Sequence, residues 1–356
     1  MSSRLLFCSA LLVGLILAFG CLGIGESAPA PAAPDYNAPP ALPPATPISP
    51  GTPEPVPANL SPALPLKAPF EMAFLNVSFA DSTLLRTADA NILFDAGSED
   101  MAPRLVRELR ARGVDRLNLL ILSSNDPAMV GGAVRILQDF PIDEIWITGM
   151  NYSDPLWQSI TPYLATGKVK AVRYGDSKTY GALKLQVLNP SEPLIGTPDA
   201  DSIALKVSYG SFCSLLFSDS VAGGVSAVDA GTVTGGVDSK IISGSIPIQC
   251  PVLKVSAHGS ANAASFQLLE KVKPEQGIIS VGPNPPANLY PQPTLLRRLI
   301  LRNTQVWTTD RLGTITVSSD GLGYTTSSQA PRGSQYGKFL EAVANGATNY
   351  WTVSSR

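Results

Sequence analysis

Histidine is almost absent from this chain: one residue in 356, His258. A hydrolytic zinc site needs about three protein ligands and an open position for water, and imidazole is the usual donor. A second metal needs as many ligands again, so a two-zinc centre is excluded on donors alone. Net charge is also slight, −2 from 26 basic and 28 acidic residues, which gives no electrostatic reason to expect nucleic acid as a partner. Beyond residue 20 there is no apolar run long enough to span a bilayer, which speaks against a channel or transporter. Nor is there a G-x-S-x-G elbow to present a nucleophilic serine between a strand and a helix.

What is present begins with an export pattern. Arg4 precedes an uncharged stretch from Leu5 to Gly20, a short basic segment followed by an apolar one, so residues 1–20 read as a signal peptide. The stretch closes on Ala18, Phe19, Gly20 and Cys21, similar to a lipobox in which the Cys21 thiol is lipidated. An uncleaved single-pass anchor fits the same run, which is close to the minimum of about 18 residues for a span. Either reading makes the membrane a partner and tethers an exported chain to the outer face of the cytoplasmic membrane. Residues 21–69 form a stalk: from Ala28 to Pro69 about a third of the residues are proline. Such a segment favours polyproline II at about 3.1 Å per residue and spans up to roughly 100 Å.

Residues 70–330 suit one α/β domain, and 331–356 form an appendage. In the appendage Tyr336, Phe339, Leu340, Val343 and Tyr350 stand at loosely helical spacing, which favours docking on the domain. The domain opens with three strand-like runs, EMAFLNVSF, STLLRT and NILFDAG, which form an antiparallel meander. A helix over 102–112 carries Leu105, Val106 and Leu109 on one face and stops at Gly113. The continuous apolar run LNLLILSS then reads as a strand covered on both faces. MVGGAVRILQDF reads as one helix, and EIWITG, KVKAVRYG and LKLQVLNP as further strands with a helix at 155–166. The second half gives SIALKVSYG and FCSLLFSDS, a glycine-rich stretch with one short helix, VLKVSAHGS, a helix at 263–272, GIISVG, a helix at 294–303, QVWTTD and GTITVSSDG. Two halves of this kind suggest two sheets packed face to face with helices outside. Arg297, Arg298 and Arg302 read as a solvated helix face. Outside the cytoplasm Cys213 and Cys250 either bridge or remain two buried small apolar residues. Asn59, Asn76 and Asn151 begin sequons, of which Asn59 is expected to be accessible and Asn76 to lie in a strand.

Taken together, the segments resemble the metallo-β-lactamase fold, an α/β (α+β) four-layer αββα sandwich, and most closely the β-lactamase-like domain of the ComEC/Rec2 competence proteins. The family's FLDVGQGDS is matched by FLNVSFADS ending at Asp81 and Ser82, and its DAGS by Asp95, Ala96, Gly97 and Ser98. Its closing TD..GTI....DG is matched by Thr309, Asp310, Gly313, Thr314, Ile315, Asp320 and Gly321. The metal stations depart from the pattern. S-H-P-D-A-D-H-x-G-G becomes Ser123 through Gly132, losing both histidines and the second aspartate. F-T-G-D becomes Phe217, Ser218, Asp219; H-H-G-S becomes Ala257, His258, Gly259, Ser260; and N-x-Y-G-H-P becomes Asn288, Leu289, Tyr290, Pro291, Gln292, Pro293.

The candidate pocket is therefore Ser124, Asp126, Asp219, His258, Asn288 and Gln292. Met129 is a soft thioether suited to copper(I), and Gln292 and Ser124 are weak neutral donors. No cofactor is expected; the alternative is one divalent ion held by Asp126, Asp219 and His258. The plainer reading gives each of these a structural role, in which Asp126 caps the helix near Met129, Asp219 bonds loop amides, and His258 satisfies a buried turn. A serine triad from Ser124 or Ser260 with His258 and Asp219 is the least supported arrangement. The expected function is a catalytically inactive, membrane-anchored extracytoplasmic module that binds a ligand or serves as a scaffold. The alternative is a phosphodiesterase-like or nuclease-like hydrolase using a single ion; a role in DNA uptake rests on the resemblance alone.

Overall fold

Apolar runs flanked by polar or glycine punctuation become the strands of two sheets. The computed structural model describes residues 69–165, 168–220, 236–282 and 290–346; the signal, the stalk to residue 68, Cys21, Asn59, Asn288 and Tyr350 lie outside them. In the first sheet β1 (Phe70–Phe74), β2 (Thr83–Arg86) and β3 (Asn91–Phe94) form the antiparallel meander. β4 (Leu119–Ile121), β5 (Ile145–Ile147) and β6 (Val169–Ala171) continue it in parallel. The second sheet comprises β7 (Ser177–Tyr180), β8 (Leu183–Asn189), β9 (Ala204–Tyr209), β10 (Phe212–Phe217), β11 (Val252–Lys254), β12 (Gln276–Ile279) and β13 (Gln305–Thr308), in the order β13-β12-β11-β10-β9-β8-β7. The chain then returns to the first sheet with β14 (Ile315–Ser319) and β15 (Tyr324–Ser328), completing the order β15-β14-β1-β2-β3-β4-β5-β6.

The period of two along β1 separates the layers. Phe70, Met72 and Phe74 enter a core shared with Leu185, Leu205 and Leu215 of the second sheet, while Ala73 and Leu75 enter another core with Leu105, Leu109, Ile136 and Ile160. The last four come from helices α1 (Ala102–Ala111), α3 (Ala133–Asp139) and α4 (Pro155–Leu164), which cover the first sheet's outer face. Helices α7 (Phe266–Val272) and α8 (Pro293–Leu301) bury Leu268, Leu269, Val272, Leu295, Leu296 and Leu299 beside the second sheet. Further helices among the described residues are α2 (Pro127–Val130), α5 (Pro198–Asp201), α6 (Gly236–Ser243) and α9 (Thr309–Leu312). Among the described residues no helix is long and apolar enough to cross a membrane.

Several sequence expectations change. The single helix expected over MVGGAVRILQDF is split into α2 and α3 at Gly131 and Gly132, where the chain passes tightly against its neighbours. A Cβ on Gly132 would lie 2.3 Å from Ala96 O, and one on Gly131 would lie 2.8 Å from Glu99 N. Arg298 is not part of a solvated face. It is 3% exposed and donates to the carbonyls of Ala261, Ala263 and Ala264, clamping the loop after His258. Asn76 lies in the loop after β1, not in the strand, and Asn151 is exposed. Cys213 and Cys250 form a disulfide, with Cα atoms 5.2 Å apart.

The appendage contributes α10 (Ser334–Ala344), whose Tyr336, Phe339 and Val343 join the hydrophobic cluster that includes the second sheet and α8. Tyr336 Oη and Arg332 Nη2 both donate to Val306 O on β13, at 3.0 and 3.1 Å. Since β13 is the outer strand of its sheet, these bonds cover an otherwise open backbone edge.

Candidate functional site

Four of the motif stations leave the C-terminal ends of strands: Asp95 after β3, Ser123 after β4, Ser218 and Asp219 after β10, and His258 after β11; Ser280 follows β12 beside them. Such ends are where α/β sheets gather their functional loops. Here the two sheets meet through side chains. Asp95 is fully buried; its Oδ1 accepts from Ser123 N at 2.9 Å, and its Oδ2 accepts from Ser123 Oγ at 2.9 Å and Ser218 Oγ at 2.8 Å. The two hydroxyl oxygens are 2.6 Å apart, so one network joins both sheets.

Burial, reinforced by the charge of Asp81, pushes the Asp95 carboxyl up to about 7 against the bonds from Ser123 and Ser218. Burial also raises Asp219 to about 7, with Asp126, Asp199 and Asp81 adding to the rise and Lys254 opposing it. Between about pH 4 and 7 the folded chain thus keeps protons that the unfolded chain has released. Stability is greatest at the acid end of that window and falls as pH rises through it, by at most about 1.4 kcal/mol per pH unit for each group. Asp95→Asn, which fixes the neutral state, is expected to flatten the fall in urea midpoint between pH 5 and 8; an unchanged slope would refute this assignment.

Lys254 is a buried lysine, 0% exposed, near the middle of the second sheet. Its Nζ lies 2.8 Å from Asp81 Oδ2 and donates to Phe217 O at 2.9 Å. The Asp81 contact is close but poorly aligned for a hydrogen bond, and neither carboxylate oxygen has an aligned donor among the described residues. Sequence reasoning passed over this pair. The available signal was a lysine inside the apolar run VLKV, where both faces of the strand are covered.

Asp126 is the N-cap of α2: its Oδ1 accepts from Ala128 N at 2.7 Å, and Ser124 Oγ accepts from Asp126 N at 3.2 Å. His258 is 6% exposed, and its Nδ1 lies 3.0 Å from Ser280 O. A carbonyl only accepts, so Nδ1 carries the proton. The Ser260 hydroxyl is buried without a partner among the described residues, and no hydrogen bond there joins a serine side chain to the His258 ring, so no triad is assembled. Among the described residues Gln292 enters through its backbone, its N donating to Gly259 O at 2.8 Å. The Asp126 charge bears on Asp219, yet among the described residues no three His, Cys, Asp or Glu side chains gather closely enough to hold an ion. The donor set therefore does not fit the metal centre of the resemblance, and Asp126, Asp219 and His258 are not brought together as ligands.

Comparison with known proteins agrees with the layout. Over 215 residues the chain is 26% identical to ComE operon protein 3 of Bacillus subtilis (strain 168), covering 59% of this chain and 26% of that protein. It is 27% identical over 215 residues to competence protein ComA of Neisseria gonorrhoeae, covering 60% and 27%. The domain has a metallo-β-lactamase fold and is similar to these ComEC-family proteins. No family model matches it. The crystal structure of the metallo-β-lactamase fold protein YhfI from Bacillus subtilis superimposes with a TM-score of 0.46 at 11% identity, over 71% of this chain and 100% of that one. The ComEC-like chain spans about a quarter of the length of the curated relatives it matches.

Proposed function

We propose that this ComEC-like chain is an exported, membrane-tethered module with a degenerate metal site, acting as a scaffold or ligand-binding surface and not as a hydrolase. One observation carries the reading: two of the three residues that remain at the metal stations, Asp126 and His258, are engaged in holding the fold. Asp126 caps α2, and the sole histidine is turned inward to Ser280 O. The tether is the apolar run ending at Cys21, by lipid or as an uncleaved anchor, and the proline-rich stalk carries the domain away from the bilayer. The name of one relative, competence protein ComA, speaks of competence, but a net charge of −2 offers little to a phosphate backbone.

Equilibrium dialysis against zinc or manganese, followed by elemental analysis, tests the reading. Metal well below one equivalent per chain is expected. One stoichiometric ion lost in His258→Ala would instead favour the single-ion hydrolase.

A further inference from the structure

The loop between β1 and β2 meets the loop after β11 through aromatic rings. Ser78, with φ of 62°, is left-handed, and the next residue is held from behind: a Cβ on Gly282 would lie 2.4 Å from Phe79 N. On the opposite side Ala257, His258 and Gly259 are three consecutive left-handed residues, with φ of 47°, 50° and 82°. Non-glycine residues in this region are strained and persist where the surroundings fix them. Here the bond from His258 Nδ1 to Ser280 O supplies one such constraint. The outcome is a ring contact, with the Phe79 and His258 centroids 4.3 Å apart at 37° and the Tyr290 centroid 5.4 Å from that of Phe79. Phe79 is half-buried while His258 is buried, so Phe79 forms the outer layer. The motif of the resemblance reads G-Q-G at this turn, where this chain has Ser78, Phe79 and Ala80.

We propose that Phe79 is a built-in plug: its ring fills the place beside His258 that a bound small molecule would need. This rests on the non-catalytic reading and narrows it to a scaffold, since the face of the histidine that a ligand would approach is covered by the chain itself. Tyr290 and the close approach at Gly282 hold the plug in register.

Because the chain has one histidine, its ring signals need no assignment. Carbethoxylation of the full chain in detergent by diethyl pyrocarbonate is expected to run at least about ten-fold slower than for N-acetylhistidine, since reaction awaits local opening. In Phe79→Ala the rate should rise about ten-fold, and the imidazole carbon-bound proton resonances should move downfield as the ring current of Phe79 is lost. Wild-type reactivity equal to that of N-acetylhistidine overturns the proposal. So does a Phe79→Ala chain with native circular dichroism in which neither rate nor resonances change. Should Phe79→Ala fail to fold, Phe79→Leu keeps the apolar bulk and must still shift the resonances, or the plug is refuted. Stoichiometric metal would sink the non-catalytic reading, whereas an open histidine with no metal would sink only the plug.

Discussion

Lys254→Met is expected to destabilise the domain by about 3–5 kcal/mol, because it leaves Asp81 as an uncompensated charge in the interior. Both members of the pair are essentially inaccessible, at 0% and 1% exposure, and Phe217 O loses its donor in the same change. Methionine matches the lysine stem in length, so the loss reflects charge more than packing. Recovery is the complementary expectation: Lys254→Met combined with Asp81→Asn removes both charges and should regain most of the stability. Urea unfolding of the two variants against the parent chain decides it. A single-variant cost under about 1 kcal/mol would show that water or a rearranged neighbour already compensates Asp81.

The second large effect concerns the disulfide. Cys213 and Cys250 are 37 residues apart, and cross-linking a loop of that length constrains the unfolded chain by about 4 kcal/mol on the chain-entropy account. Replacing both cysteines by alanine, or adding a reductant, should lower the unfolding free energy by roughly that amount. The bridge ties the start of β10 to the approach of β11, two adjacent parallel strands that carry Ser218, Asp219 and His258 at their far ends. Loss of the bridge should therefore also loosen the site, which hydrogen exchange at Leu215, Leu216 and Leu253 would register. A shift below about 1 kcal/mol would mean that the unfolded chain keeps these strands together without the bond.

The sandwich was legible in the sequence where strands are long and apolar. β1, β4, β9 and β10 have buried faces on both sides or strict alternation, and their runs stand out from the flanking turns. β7 and β15, SKTY and YTTSS, escape such a reading because they are outer strands with little apolar content; their exposure alternates between open and half-open. The start of α2 was visible in Asp126 and Pro127 ahead of an apolar run, but the break after Val130 was not, since Gly131 and Gly132 answer to Glu99 and Ala96, far away along the chain. At the site, the scarcity of histidine told what could not be built. Nothing in local sequence told that Ser218 and Asp95, 123 residues apart, share a hydrogen bond, or that Phe79 lies on His258, because such pairings are set by how the sheets face each other.

The bonds from Arg332 and Tyr336 to Val306 O give self-association a direction. A strand from a neighbouring molecule that aligned with β13 would find that acceptor taken and α10 packed alongside. Lateral arrays of these domains, if built by backbone pairing, are left with the opposite margin at β7 or with β15 and β6 of the first sheet, and each choice fixes a different spacing between adjacent copies.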